Sequence, residues 1–168
     1  MNRISNRVCL AAALLVGTLG VHVADAQHTH GRATLLIGLE GATGRIELRA
    51  PADDMYGFER APRTAAERTR QNAALTQLRT GGATLVKFDA TLGCRVVADS
   101  VGVLQGRGTH AEVYARWQVQ CARPVAGRPI GFAISRAFPN VERVSVQLLS
   151  DSAQTGRTIV RDRGVVVP

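Results

Sequence analysis

The sequence predicts an α+β fold: an antiparallel β-sheet with one main helix, one short helix and a single disulfide. Three observations carry this. Apolar and polar residues alternate over several short runs, which is the period of a half-buried strand. One segment, between Thr64 and Gly81, has helix start and stop signals. Cys94 and Cys121 fall opposite each other when two of the alternating runs are paired. At 168 residues and 45% hydrophobic content, the chain suits one domain with a core of its own.

Residues 1–26 read as a secretory signal. Arg3 and Arg7 give a basic start, Cys9 to Leu19 is apolar, and Ala24-Asp25-Ala26 is a small-x-small cleavage site. No stretch of the remaining chain approaches the twenty or so apolar residues of a membrane span. Cleavage leaves residues 27–31 as a short histidine-containing leader and 32–168 as the domain. The formal charge drops from +8 to +7 and the cysteines from three to one pair. A pair in an exported chain is most simply a disulfide.

Thr34–Leu39 reads as a strand with Leu35, Ile37 and Leu39 on one face, and Gly41–Gly44 as a turn. Ile46 and Leu48 then alternate with Glu47 and Arg49, which makes a hairpin ended by Pro51. Ala52–Pro62 reads as a loop whose Met55, Tyr56 and Phe58 dock on the core. Thr64 followed by Glu67 three places on is a capping box, and the helix runs to Arg79 with Leu75 and Leu78 inward, stopped at Gly81-Gly82. Leu85–Val103 reads as strand, then Gln105–Gly108 as a turn, then His110–Cys121 as strand with Val113, Ala115, Trp117 and Val119 on one side.

Pairing those two strands about the turn sets Cys94 against Cys121, Val96 against Val119 and Ala98 against Trp117. Closing a loop of roughly 28 residues contributes about 3–4 kcal/mol in the chain-entropy picture. Ile130–Ala137 reads as the short helix, and Val144, Val146 and Leu148 as a strand. A loop containing Gly156 leads to Thr158–Val160, with Val165–Val167 as a last edge segment.

The basic residues are nearly all arginine and are dispersed, with few aromatics among them, so nucleic-acid binding is not indicated. Neither G-x-S-x-G, nor H-E-x-x-H, nor a phosphate-cradling glycine loop occurs, and Cys94 and Cys121 are not a C-x-x-C pair. An enzyme is therefore not expected.

Histidine is where metal chemistry would start. His28 and His30 form an H-x-H pair; in an extended segment their rings point the same way and can share one Zn²⁺, while the plainer reading is a polar tail. His110 shares a strand face with Glu112 and Tyr114, which suits a metal site, a partner-binding surface or simply an exposed sheet face. Asp53, Asp54 and Glu59 can supply oxygen ligands, and Arg60 and Arg63 lie close enough in sequence to neutralise them.

Four ordered blocks resemble the exported zinc-regulated, zinc-binding proteins of Gram-negative bacteria, long catalogued as a domain of unknown function. They are His28–Gly41 (HTHGRATLLIGLEG), Pro51–Pro62 (PADDMYGFERAP), Gly108–Cys121 (GTHAEVYARWQVQC) with Cys94 upstream, and Phe138–Leu149 (FPNVERVSVQLL) followed by Gln154. The resemblance implies a periplasmic protein that binds Zn²⁺ and buffers it or hands it to a zinc importer component or another envelope protein.

The histidine-rich stretches of that family are reduced here. Only His28 and His30 remain at the N-terminal position, the turn Val103–Gly108 has no histidine, and Arg60 stands where the family pattern places a histidine after Gly-Phe-Glu. His110 matches the pattern. The expected site is His28, His30 and His110 on one Zn²⁺, completed by Glu59, Asp53 or Glu112, with Arg60 repelling any cation nearby. The alternative is an envelope protein that keeps the fold, has lost metal handling and binds a protein partner.

Overall fold

The computed structural model describes residues 30–106 and 110–168. The signal and His28 lie outside the described residues, as do Arg107 and Gly108 of the expected turn.

The first hairpin forms as its alternation requires. Strand β1 (Arg32–Glu40) pairs antiparallel with β2 (Thr43–Pro51), and the two-residue turn Gly41-Ala42 is tighter than the four residues expected. Ala33, Leu35, Ile37 and Leu39 are buried, whereas Leu36 points the other way.

The stretch after Pro51, expected as loop, opens with a short helix α1 (Ala52–Tyr56) before the chain turns at Gly57. Met55, Tyr56 and Phe58 are buried, as their apolar character suggested. Helix α2 (Ala65–Thr80) begins with the complete capping box: Thr64 accepts from the Glu67 N–H, and Glu67 reaches back to the Thr64 N–H. Leu75 and Leu78 face inward, and Gly81 ends the helix.

Leu85–Val103 is not one strand. It divides into a one-turn helix α3 (Gly82–Leu85), the two-residue strand β3 (Val86–Lys87), a 3₁₀ turn at Ala90–Leu92 and the long strand β4 (Arg95–Gln105). Asp89 stops the strand by capping the 3₁₀ turn, its carboxylate accepting from the Thr91 N–H at 2.8 Å. Strand β5 (Ala111–Gln120) pairs with β4 in the register the cysteines demanded, Val96 against Val119 and Ala98 against Trp117. The Cys94–Cys121 disulfide closes the end of this pair. A bulge after Ala98 then shifts the parity, so Val101 and Val103 take over the inward side.

The expected helix at Ile130–Ala137 is half strand. Ile130 and Phe132 are buried in β6 (Ile130–Phe132), which pairs with β3, and only Ile134–Ala137 forms a helix, α4. Strand β7 (Arg143–Leu149) follows, then β8 (Gln154–Val160), which takes in the Gly156 expected in a loop, because Gly156 pairs with Gln147. The last strand, β9 (Val165–Val166), lies at the edge of a three-stranded sheet ordered β3-β6-β9.

The main sheet has six strands in the order β4-β5-β2-β1-β7-β8. It is mixed rather than wholly antiparallel, because β7 runs parallel to β1 after the long excursion through α2, the β4–β5 hairpin and α4. The fold is thus α+β, with four α-helices among the described residues where two were expected, three of them five residues or shorter. Helix α1 packs against β2 and β5 and helix α2 against β4, and Ile46, Leu48, Val113, Ala115 and Trp117 of the sheet are buried in the same core. The Trp117 indole N–H donates to the Leu78 carbonyl at 2.9 Å, satisfying an acceptor in the last turn of α2. Among the described residues, no helix packs on the other face of the sheet.

A candidate metal centre at one end of the sheet

Strand register gathers the candidate ligands. β1 begins at Arg32 while antiparallel β2 ends at Pro51, and Pro51 pairs with Glu112 near the start of β5. Residues just before β1, just after β2 and just before β5 therefore meet at one end of the sheet. These are His30, the Asp53-Asp54 pair and His110.

His30, Asp53 and Asp54 form a cluster in which one ligand atom from each lies within 4.8 Å of the others. The His30 Nδ1 is 3.8 Å from the Asp53 carboxylate, and both side chains are open to solvent. Asp54 differs. It is only 5% exposed, on the inward side of α1, and its Oδ2 accepts from the Gly31 N–H at 2.7 Å. Gly31 has a φ of 75°, a left-handed conformation that a side chain disfavours, and this turn aims its N–H back at α1. Burial pushes the Asp54 carboxyl above its ordinary value, against the pull of the Gly31 N–H and the neighbouring His30, while the charge of Asp53 adds to the rise. No arginine or lysine among the described residues pairs with Asp54.

One imidazole nitrogen and two carboxylates are a donor set for a borderline divalent cation. A cation there would supply the positive charge that the buried Asp54 otherwise lacks, so these residues fit a metal.

His110 forms a second arrangement. Its Nδ1 is 2.5 Å from the Glu59 Oε2, and the other Glu59 oxygen is buried without a hydrogen-bond partner among the described residues. Glu112 stands apart from both. It accepts from Arg49 at 3.3 Å, in a ladder where Glu47 accepts from Arg49 and Arg116 at 2.6 and 2.7 Å.

The described residues thus bring together His30, Asp53 and Asp54, and separately His110 and Glu59. Sequence reasoning counted Asp54 among the possible oxygen ligands but completed the expected site with Glu59, Asp53 or Glu112, because a loop reading of Ala52–Pro62 does not tell Asp54 from Asp53. The missed signal was α1 itself, whose turn buries one of two adjacent aspartates.

Arg60 does not act as expected. Both of its terminal nitrogens bind Glu67, at 2.6 and 3.0 Å, and hold that carboxyl down to about 2 together with the N–H groups of Arg63 and Thr64. Its charge is paired with Glu67, the carboxylate that caps the N-terminus of α2, and it makes no ion pair with Asp53, Asp54 or Glu59 among the described residues.

Residues 27–167 match the profile described as ZrgA family zinc uptake protein. Among curated proteins, none matches this chain.

Proposed function

This chain belongs to the ZrgA family of zinc uptake proteins, a periplasmic, non-catalytic zinc-handling protein, and we propose that it is a low-capacity Zn²⁺ binder that buffers or delivers single ions. In this reading His30, Asp53 and Asp54 hold Zn²⁺, and His28, two residues upstream, adds a second imidazole. The observation that supports it best is Asp54: a buried carboxylate without a basic partner among the described residues, beside two further ligand groups. His110, oriented by Glu59, is a supplementary ligand at the same end of the sheet, as metal-binding histidines commonly are by a carboxylate.

Capacity is low in this reading because the described residues hold one cluster of three and the sequence has no long histidine tract. Exposure of His30 and Asp53 suits exchange, since an incoming ligand can reach the ion without the fold opening. Zn²⁺ is then cargo.

Isothermal calorimetry on the metal-free exported chain tests this. One saturable Zn²⁺ site, lost in the His30→Ala/Asp54→Asn variant and retained in Glu112→Gln, is the expected result. Absence of any saturable Zn²⁺ binding would sink the proposal.

A further inference from the structure

We propose that the helix-free face of the six-stranded sheet pairs with the same face of a second copy of this chain, giving a weak two-fold dimer. Four exposed charges on this face have no oppositely charged partner among the described residues: Arg45, Arg95, Glu40 and Asp99. Asp99 accepts only from the Gln118 amide, at 3.4 Å. A surface of one sign would satisfy two of these charges and repel the other two. A second copy of the face offers both signs.

The strand register sets which residues meet. Across β4, β5, β2 and β1 the pairings line up three outward rows: Arg95, Gln120, Thr43 and Glu40; then Val97, Gln118, Arg45 and Gly38; then Ser100, Arg116, Glu47 and Leu36. A two-fold axis in the interface, parallel to the strands and midway between β5 and β2, lays each row on its own reverse. Arg95 then faces Glu40 of the second copy, and Arg116 faces Glu47. Gln118, an acceptor as well as a donor, faces Arg45. Asp99, the extra residue of the bulge between Ala98 and Ser100, stands about one strand spacing, ~4.8 Å, to the side of the second copy's Arg45. In these three rows no like charges come opposite one another.

Apolar surface falls into the same register. Val97, 53% exposed, faces Gly38, where an added Cβ would meet nothing within 4 Å. Beside Gly38 in that row stands Leu149, 60% exposed, so the two aliphatic side chains cover each other. Four strands at about 4.8 Å by about seven residues at about 3.3 Å make roughly 440 Å² per copy, or about 900 Å² in all. That is the size of a weak, transient interface. An axis parallel to the strands also keeps both metal centres at the same end of the dimer.

Sedimentation equilibrium on the metal-free exported chain at physiological salt, from about 1 µM to about 1 mM, tests the proposal. The weight-average mass should rise with concentration towards twice that of the monomer. Arg95→Glu and Glu40→Arg, each repeated by the axis, should each weaken association at least about tenfold, because they set like charges opposite. The double variant Arg95→Glu/Glu40→Arg restores opposite charges and should recover association to within about threefold of the wild type, and an equimolar mixture of the two single variants should associate as well. Near-UV circular dichroism of the buried Trp117 checks that each variant is folded. A mass that stays monomeric across the range overturns the proposal. So does association indifferent to the single reversals, or a charge swap that fails to restore it.

Discussion

Replacing Asp54 by Asn should move stability and metal affinity in opposite directions. The Asp54 carboxyl lies above its ordinary 3.8 because burial outweighs the hydrogen bond from Gly31. A folded pKa above the unfolded one means that the neutral form is the one folding favours. The stabilisation is complete below 3.8 and is lost as pH rises through the raised value. Asn is neutral throughout and can still accept from the Gly31 N–H. At pH 7 the metal-free variant should therefore melt above the wild type, and at about pH 3 the two should melt alike, both being uncharged at this position.

Zinc reverses the order. Removing groups that merely orient metal ligands weakens binding about 10- to 100-fold, so removing a ligand should cost at least about 1.4–2.7 kcal/mol. With Zn²⁺ at about a hundred times the wild-type Kd, linkage adds about 2.7 kcal/mol to the wild type, roughly 5–11 °C in Tm for a domain of this size. The variant, its affinity down at least about 10- to 100-fold, should gain at most about 1.4–0.4 kcal/mol. Differential scanning calorimetry with and without Zn²⁺, at both pH values, reads all four quantities. A metal-free variant that melts lower at pH 7 and gains as much from Zn²⁺ as the wild type would refute the reasoning about Asp54.

Two further substitutions test the frame that positions the site. The Cys94→Ser/Cys121→Ser variant releases a crosslink spanning 27 positions and should lose about 3–4 kcal/mol in urea unfolding. A loss under about 1 kcal/mol would mean that the unfolded chain gains little freedom from the cut. Trp117→Phe leaves the Leu78 carbonyl without its 2.9 Å donor and opens space under α2; the expected loss is about 2–4 kcal/mol, and a near-neutral melt would count against a capping role for the indole.

What was legible in the sequence was what local chemistry specifies. The capping box at Thr64 and Glu67 needs only four residues, and the β4–β5 register follows from two parities and one cysteine pair. Errors arose where the pattern breaks for non-local reasons. The bulge after Ala98 moves the inward positions from even to odd numbers, so Val101 and Val103 could have marked it. Ile130–Phe132 is a strand only because β3 and β9 flank it, and Gly156 is a strand residue only because β7 supplies the partner. The parallel β1–β7 pair is likewise invisible to periodicity, which carries no information about strand order.

The candidate site shows the same division. His30 and His110 stand out by residue type, but their placement at one sheet end follows from β1, β2 and β5 being neighbours. Asp54 is the harder case, because adjacent aspartates look equivalent until a helical turn points one inward.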